Sequence, residues 1–192
     1  MVAEEHGDGV FDVGEGTLSD RSVVTFAPIG PMAQERTLTF HYREHTDAEA
    51  LDPSTRHLLE AAADASVKAY APYSRFHVGA ALRLGSGGVV TGNNQENASF
   101  PAGICAERTA LHAAMSQEPS AVVIEMAIAV PLAPAARPVS PCGICRQALL
   151  EQEHRQGAPI RIYLASADGR VIELARAGDL LPLSFDASFL SA

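Results

Sequence analysis

All three cysteines of the chain fall in two short stretches, Cys105-Ala106-Glu107 and Pro141-Cys142-Gly143-Ile144-Cys145. Thiolates are soft ligands, well matched to zinc. Structural zinc sites are closed by four protein ligands, whereas catalytic sites keep one position for water. Three thiolates make the open kind, and Glu107, two residues from the first cysteine, offers a carboxyl for moving protons beside it. A disulfide framework prefers an even count in a small secreted chain, so metal binding in a reducing cytoplasm is the better expectation. Two plain readings compete: a redox Cys-x-x-Cys pair, and a closed structural site completed by His112, two helical turns from Cys105.

Both stretches stand where a loop or strand feeds a helix. Unpaired N–H groups and the helix dipole favour anions there and lower thiol pKa values. Cys142 and Cys145, three apart in a first turn, put their sulfurs on one face. Three thiolates leave a zinc ion over-neutralised, which opposes ionisation of water on it. Arg108 and Arg146, adjacent to the two motifs, are expected to donate to the sulfurs and withdraw charge.

The elements that must position these residues follow from the pattern. Asp52 can cap a helix that Pro53 opens, and Leu58, Leu59, Ala62, Ala65 and Ala69 recur at helical spacing. Pro72 is expected to end that helix at Ala71. Val78 to Leu84 reads as a strand, Gly85 to Gly88 as a loop, and Val89 to Thr91 as the returning hairpin strand. Helices are expected from about Cys105 to Met115 and Cys142 to Glu153. The apolar run Val122 to Val130 predicts a strand buried on both faces. Prolines at 131, 134, 138 and 141 mark a loop. Ile160 to Leu164 and Val171 to Leu174 are further strands around the turn at 167–170. The order α-β-β-α-β-α-β-β predicts an α/β fold.

The 192 residues fit one domain with an appendage. Residues 1–51 read as an N-terminal extension and 52–192 as the globular domain. Residues 1–34 are rich in Gly, Asp and Glu and read as a loose tail, followed by a short strand near 37–42. Apolar residues are 47% of the chain, enough for a core, and the formal net charge is −9. Residues 1–50 hold ten acidic residues and three Arg, and the remainder thirteen acidic against eleven basic. With no basic stripe, nucleic-acid binding is not expected, and a small-molecule substrate is. The acidic start Met-Val-Ala-Glu-Glu-His is no secretory signal, and the longest apolar run, Ala121 to Val130, is too short to span a membrane. A cytoplasmic protein with no membrane partner is expected.

The two cysteine motifs are similar to those of the zinc deaminases, which pair His/Cys-x-Glu with Pro-Cys-x-x-Cys. The wider context resembles the small homotetrameric cytidine deaminases. The similar stretches are Ala71-Pro72-Tyr73-Ser74-Arg75-Phe76-His77-Val78-Gly79-Ala80-Ala81, Gly92-Asn93-Asn94-Gln95-Glu96-Asn97-Ala98, Cys105-Ala106-Glu107-Arg108-Thr109-Ala110, Pro141-Cys142-Gly143-Ile144-Cys145-Arg146-Gln147, and Leu180-Leu181-Pro182 ahead of Phe185. They run in family order over roughly Asp52 to Phe185.

The resemblance implies a three-layer α/β/α sandwich around a mixed five-stranded sheet. It implies one zinc ion per subunit, held by Cys105, Cys142 and Cys145, with Glu107 as the proton shuttle. Asn94 and Glu96 would hydrogen-bond the ribose, and Phe76 would pack on the pyrimidine. The Ala106 backbone would help read the base, and Phe185 would reach it from a neighbouring subunit of a homotetramer. Gln147 matches a polar residue of the outer shell. The implied reaction is hydrolytic deamination of cytidine and deoxycytidine to uridine and deoxyuridine, in pyrimidine salvage. Phe100 stands where the family often has a tyrosine, and Gln95 replaces the usual apolar residue between Asn94 and Glu96. Deamination of antibiotic cytosine nucleosides is the nearest alternative, and Phe76, Asn94 and Glu96 favour an ordinary nucleoside.

Overall fold

The computed structural model describes residues 34–133 and 137–190. The tail expected over residues 1–34 lies almost wholly outside them. The first helix, α1, spans Pro53–Ser66. Its cap is Asp52, whose carboxylate accepts the Ser54 and Thr55 N–H groups at 3.0 and 3.1 Å. The two hydroxyls also donate to it, and these bonds, led by the one from the Thr55 side chain, hold the carboxyl well below the usual range. The helix stops five residues short of the expected Ala71. Tyr70 is taken by tertiary pairing: its N–H donates to Asn94 O at 3.0 Å, and its carbonyl accepts from Glu96 N at 2.8 Å. A long-range bridge has overridden local helical periodicity.

The strands are β1 (Tyr42–His45), β2 (Gly79–Leu84), β3 (Val89–Asn93), β4 (Val123–Ala129), β5 (Arg161–Ala165) and β6 (Val171–Leu174). They form one mixed sheet in the order β1-β6-β5-β4-β2-β3, in which only β4 and β5 run parallel. The connection between those two is the helix α3 (Gly143–Gln156), as a parallel crossover requires. A further helix, α2 (Ala106–Gln117), joins β3 to β4.

The sheet thus has six strands where five were expected. The sixth is β1, which starts five residues beyond the start of the segment at 37–42 and shares only Tyr42 with it. Its register sets Arg43 opposite Glu173, and that carboxylate receives Arg43 at 3.0 Å and His45 at 2.9 Å. No ionic partner of this kind is available to Thr37–Phe40, which carry no charge.

Alternation along the strands sorts the core into two layers. On one face Leu58, Leu59 and Ala62 of α1 pack on Ala81, Ala127, Tyr163 and Val171. On the other, Ala106, Ala110 and Leu111 of α2 and Leu149 of α3 pack on Ala80, Leu82, Met126, Ile128 and Ile162. Glu125 interrupts the apolar run of β4 and is buried, which would be costly for a bare carboxylate. Arg83 donates to it at 2.7 Å, and Arg161 stands at 3.9 Å.

Two glycines let the helices approach the sheet. A Cβ on Gly79 would lie 1.8 Å from the carbonyl oxygen of Ala62, and one on Gly92 would lie 2.4 Å from Ala110 N and 2.6 Å from Ala106 O. The second contact sets the height of α2 above β3. Replacing Gly92 with Ala is therefore expected to push α2 outward and cost roughly 1–3 kcal/mol, read as a lower midpoint in denaturant with an unchanged m-value.

Candidate active site

Cys105 caps α2 and Cys142 caps α3, each with extended backbone and no side-chain capping bond. Neither thiol is engaged in capping its own helix. Cys145 lies in the first turn of α3 and is buried. The sulfurs meet: Cys105 Sγ to Cys142 Sγ is 3.7 Å, and Cys142 Sγ to Cys145 Sγ is 3.5 Å. Ligands about 2.3 Å from a tetrahedral zinc ion stand about 3.8 Å apart, so the triad has the spacing of one zinc shell. Neither His112 nor any carboxylate joins this cluster among the described residues. The closed site with His112 is not formed.

Glu107 is in the first turn of α2 and is only 5% exposed. Burial pushes its carboxyl above the usual range, and the neighbouring Cys105 charge adds to that. Without metal, Cys105 is pulled down to about 5, first by a hydrogen bond from Cys145 and then by Cys142 and Arg108. The same bond pushes Cys145 up, because its proton is the one being shared. Arg108 is the cation of the site: burial works against its charge, but the Cys105 and Cys145 sulfurs hold it on. Its Nε is buried without a hydrogen-bond partner among the described residues.

Asn94, Gln95 and Glu96 form an extended rail beside the triad. Gln95 exchanges backbone bonds with Ile104 at 2.9 and 3.0 Å, while Tyr70 clamps the other side. That pairing places the rail one residue from Cys105. Asn94 Oδ1 accepts from Val78 N at 2.8 Å, and its Nδ2 donates to Phe76 O at 2.9 Å. Glu96 accepts the Tyr73 and Ser74 N–H groups at 2.9 and 3.3 Å, and the Ser74 hydroxyl donates to it. Asn94 and Glu96 thus hold the loop that carries Phe76. A cavity of about 370 Å³ opens here, lined by Asn94, Glu96, Phe100, Ile104, Cys105 and Arg108 among others. Phe76 and Phe185 are not part of that lining. Phe100 meets Tyr73 edge to face, with ring centroids 6.0 Å apart.

Arg146 does not reach the sulfurs in the way Arg108 does. Its guanidinium donates to Pro141 O at 2.8 Å, Leu180 O at 2.8 Å and Ser140 Oγ at 3.0 Å. Gln147 Nε2 donates to Phe185 O at 2.9 Å. Both residues therefore tie the C-terminal segment to the start of α3. Phe185 is exposed and stacks on Phe189, with centroids 5.7 Å apart. One supporting residue has no sequence signal beyond being a helix glutamate. Buried Glu153 accepts from Ile160 N, Ala177 N and Gly178 N at 2.7, 2.8 and 3.0 Å, and so anchors the turn leading to Leu180.

Thiolates from two helix tips, with a sheltered carboxyl beside them on an α/β/α sandwich, define a zinc-enzyme class. A family model for the cytidine and deoxycytidylate deaminase zinc-binding region matches residues 53–157. The chain is 45% identical over 130 residues to the cytidine deaminase of Halalkalibacterium halodurans, covering 68% of this chain and 92% of that protein. The crystal structure of Burkholderia pseudomallei cytidine deaminase matches with a TM-score of 0.60 at 41% identity, covering 67% of this chain and 97% of that one. The Mycobacterium tuberculosis cytidine deaminase structure gives 0.54 at 34% identity, with 70% and 98% covered. This chain belongs to the cytidine and deoxycytidylate deaminase family, and its three cysteines are placed to bind that family's zinc.

Arg108 contributes to holding Cys105 ionised. Removing its charge in Arg108→Gln should raise the Cys105 titration midpoint of the metal-free protein from about 5. The thiolate would then appear at higher pH, followed by ultraviolet thiolate absorbance. An unmoved midpoint would show that Arg108 does not act on the sulfur.

Proposed function

We propose that the chain hydrolyses cytidine and deoxycytidine to uridine and deoxyuridine, releasing ammonia, as a step in cytoplasmic pyrimidine salvage. The observation that carries this reading is the buried Glu107 carboxyl in the first turn of α2, the helix capped by Cys105 of the thiolate triad. Zinc held by Cys105, Cys142 and Cys145 would supply a Lewis acid that makes water nucleophilic near neutral pH. Glu107 takes a proton from the attacking water, delivers it to N3 of the cytosine, and later helps the amino group leave as ammonia. Its raised carboxyl pKa supports the role, since the two protonation states come closer in energy at neutral pH. Arg108 offsets the excess negative charge of three thiolates.

Asn94 and Glu96 hydrogen-bond the sugar hydroxyls in this reading. Each keeps capacity after holding the loop: Asn94 has a second amide proton, and the carboxylate has a lone pair to spare. Phe76 packs on the base, the Ala106 backbone reads its edge, and Phe185 arrives from a neighbouring subunit of a homotetramer. The exposure of Phe185 supports that last assignment. Residues 52–192 would be the catalytic domain and 1–51 an extension to it, as the family match beginning at residue 53 supports.

Zinc-loaded protein mixed with cytidine should give the ultraviolet change of deamination, and Glu107→Gln should slow it by about 10²–10⁴-fold. Conversion of neither nucleoside by the wild type would end this reading. Light scattering on the full chain should give four subunits per particle. A monomer with full activity would remove Phe185 from the site.

A further inference from the structure

The loop that carries Phe76 is held in an unfavourable conformation. Arg75 has φ of 56°, in the left-handed region that residues with a Cβ disfavour. Something must offset that cost. Asn94 holds the far side of the loop through Phe76 O and Val78 N. On the near side, Ser74 makes two bonds at once through its hydroxyl. It donates to Glu96 Oε1 and accepts from Phe76 N at 3.0 Å. Tyr73 N and Ser74 N complete the grip on Glu96 Oε2.

We propose that Ser74 is a positioning residue for substrate binding: its hydroxyl sets the Glu96 carboxylate and couples it to the backbone of Phe76. This rests on the reading of Glu96 as a sugar contact. The Ser74 hydroxyl is one atom with two roles. Fixing the Glu96 carboxylate by O–H donation leaves the oxygen lone pairs to receive Phe76 N–H, so sugar and base contacts are set by the same side chain. Ser74 is also the first among the groups that hold Glu96 below its ordinary pKa, as expected of a hydroxyl that donates to the ionised carboxylate. Ser74 is itself exposed, so a role in core packing does not explain its bonds.

Steady-state kinetics on cytidine test this with four zinc-loaded variants of the full chain: Ser74→Ala, Ser74→Thr, Glu96→Gln and the Ala–Gln double variant. The Ala variant should raise KM about tenfold with kcat within about threefold, the size expected for one hydrogen bond to a charged group. Thr keeps a hydroxyl and should restore KM to within about twofold. In the Glu96→Gln background the Ala change should raise KM by clearly less than it does alone, because part of its effect runs through that carboxylate. An unchanged KM in Ser74→Ala beside a raised one in Glu96→Gln would overturn the proposal and leave the sugar reading standing. Additive effects, or Thr as poor as Ala, would also overturn it. An unchanged KM in Glu96→Gln would overturn both, and would do so visibly through that variant alone.

Discussion

Three sulfurs from two helices must converge within one coordination shell, and the rest of the molecule is arranged around that demand. Cys105 and Cys142 come from segments 37 residues apart, so their 3.7 Å approach depends on how α2 and α3 are seated on the sheet. Helix tips lower the cost of gathering thiolates, because their unpaired N–H groups favour negative charge. That assistance falls off within a turn, so the tips must be well aligned. The small residues Gly92, Ala106 and Ala110 fix the height of α2, and apolar packing of Leu149 holds α3 on the same face.

Convergence at the sulfurs also decides the electrostatics of Glu107. Seated in the first turn of α2, it is buried, and desolvation raises its carboxyl. Arg108 is the next residue on the helix and lies on the side of the sulfurs. One helical turn thus carries a ligand, an acid and a charge-balancing cation, whose separation is fixed by helix geometry.

The surrounding loops are secured by hydrogen bonds more than by apolar burial. The rail of Asn94 to Glu96 is paired on both sides and in turn holds the Phe76 loop. The C-terminal segment is tied at Leu180 by Arg146 and at Phe185 by Gln147, and Glu153 anchors the turn before it. Exposed aromatic side chains are thereby presented on ordered backbone. A ligand then meets them at lower entropic cost than it would on free loops.

Local chemistry was readable along the chain because it depends on short spacing. Cys142 and Cys145 share a face by helical period, Asp52 and Pro53 mark the start of α1, and strand alternation follows the pleat. The metal-ligating triad could be expected from ligand type and count. The extent of α1, the use of Arg146 and the exact position and register of the added strand could not, since each turns on a partner distant in sequence. Tyr70 leaves the helix for Asn94, Arg146 spends its donors on Pro141, Ser140 and Leu180, and β1 takes the register that sets Arg43 and His45 on Glu173. Residue types and spacings therefore dictated which groups could do the chemistry. Long-range packing and hydrogen bonding chose their neighbours, because competition among partners for the same donors is settled only once the chain has folded.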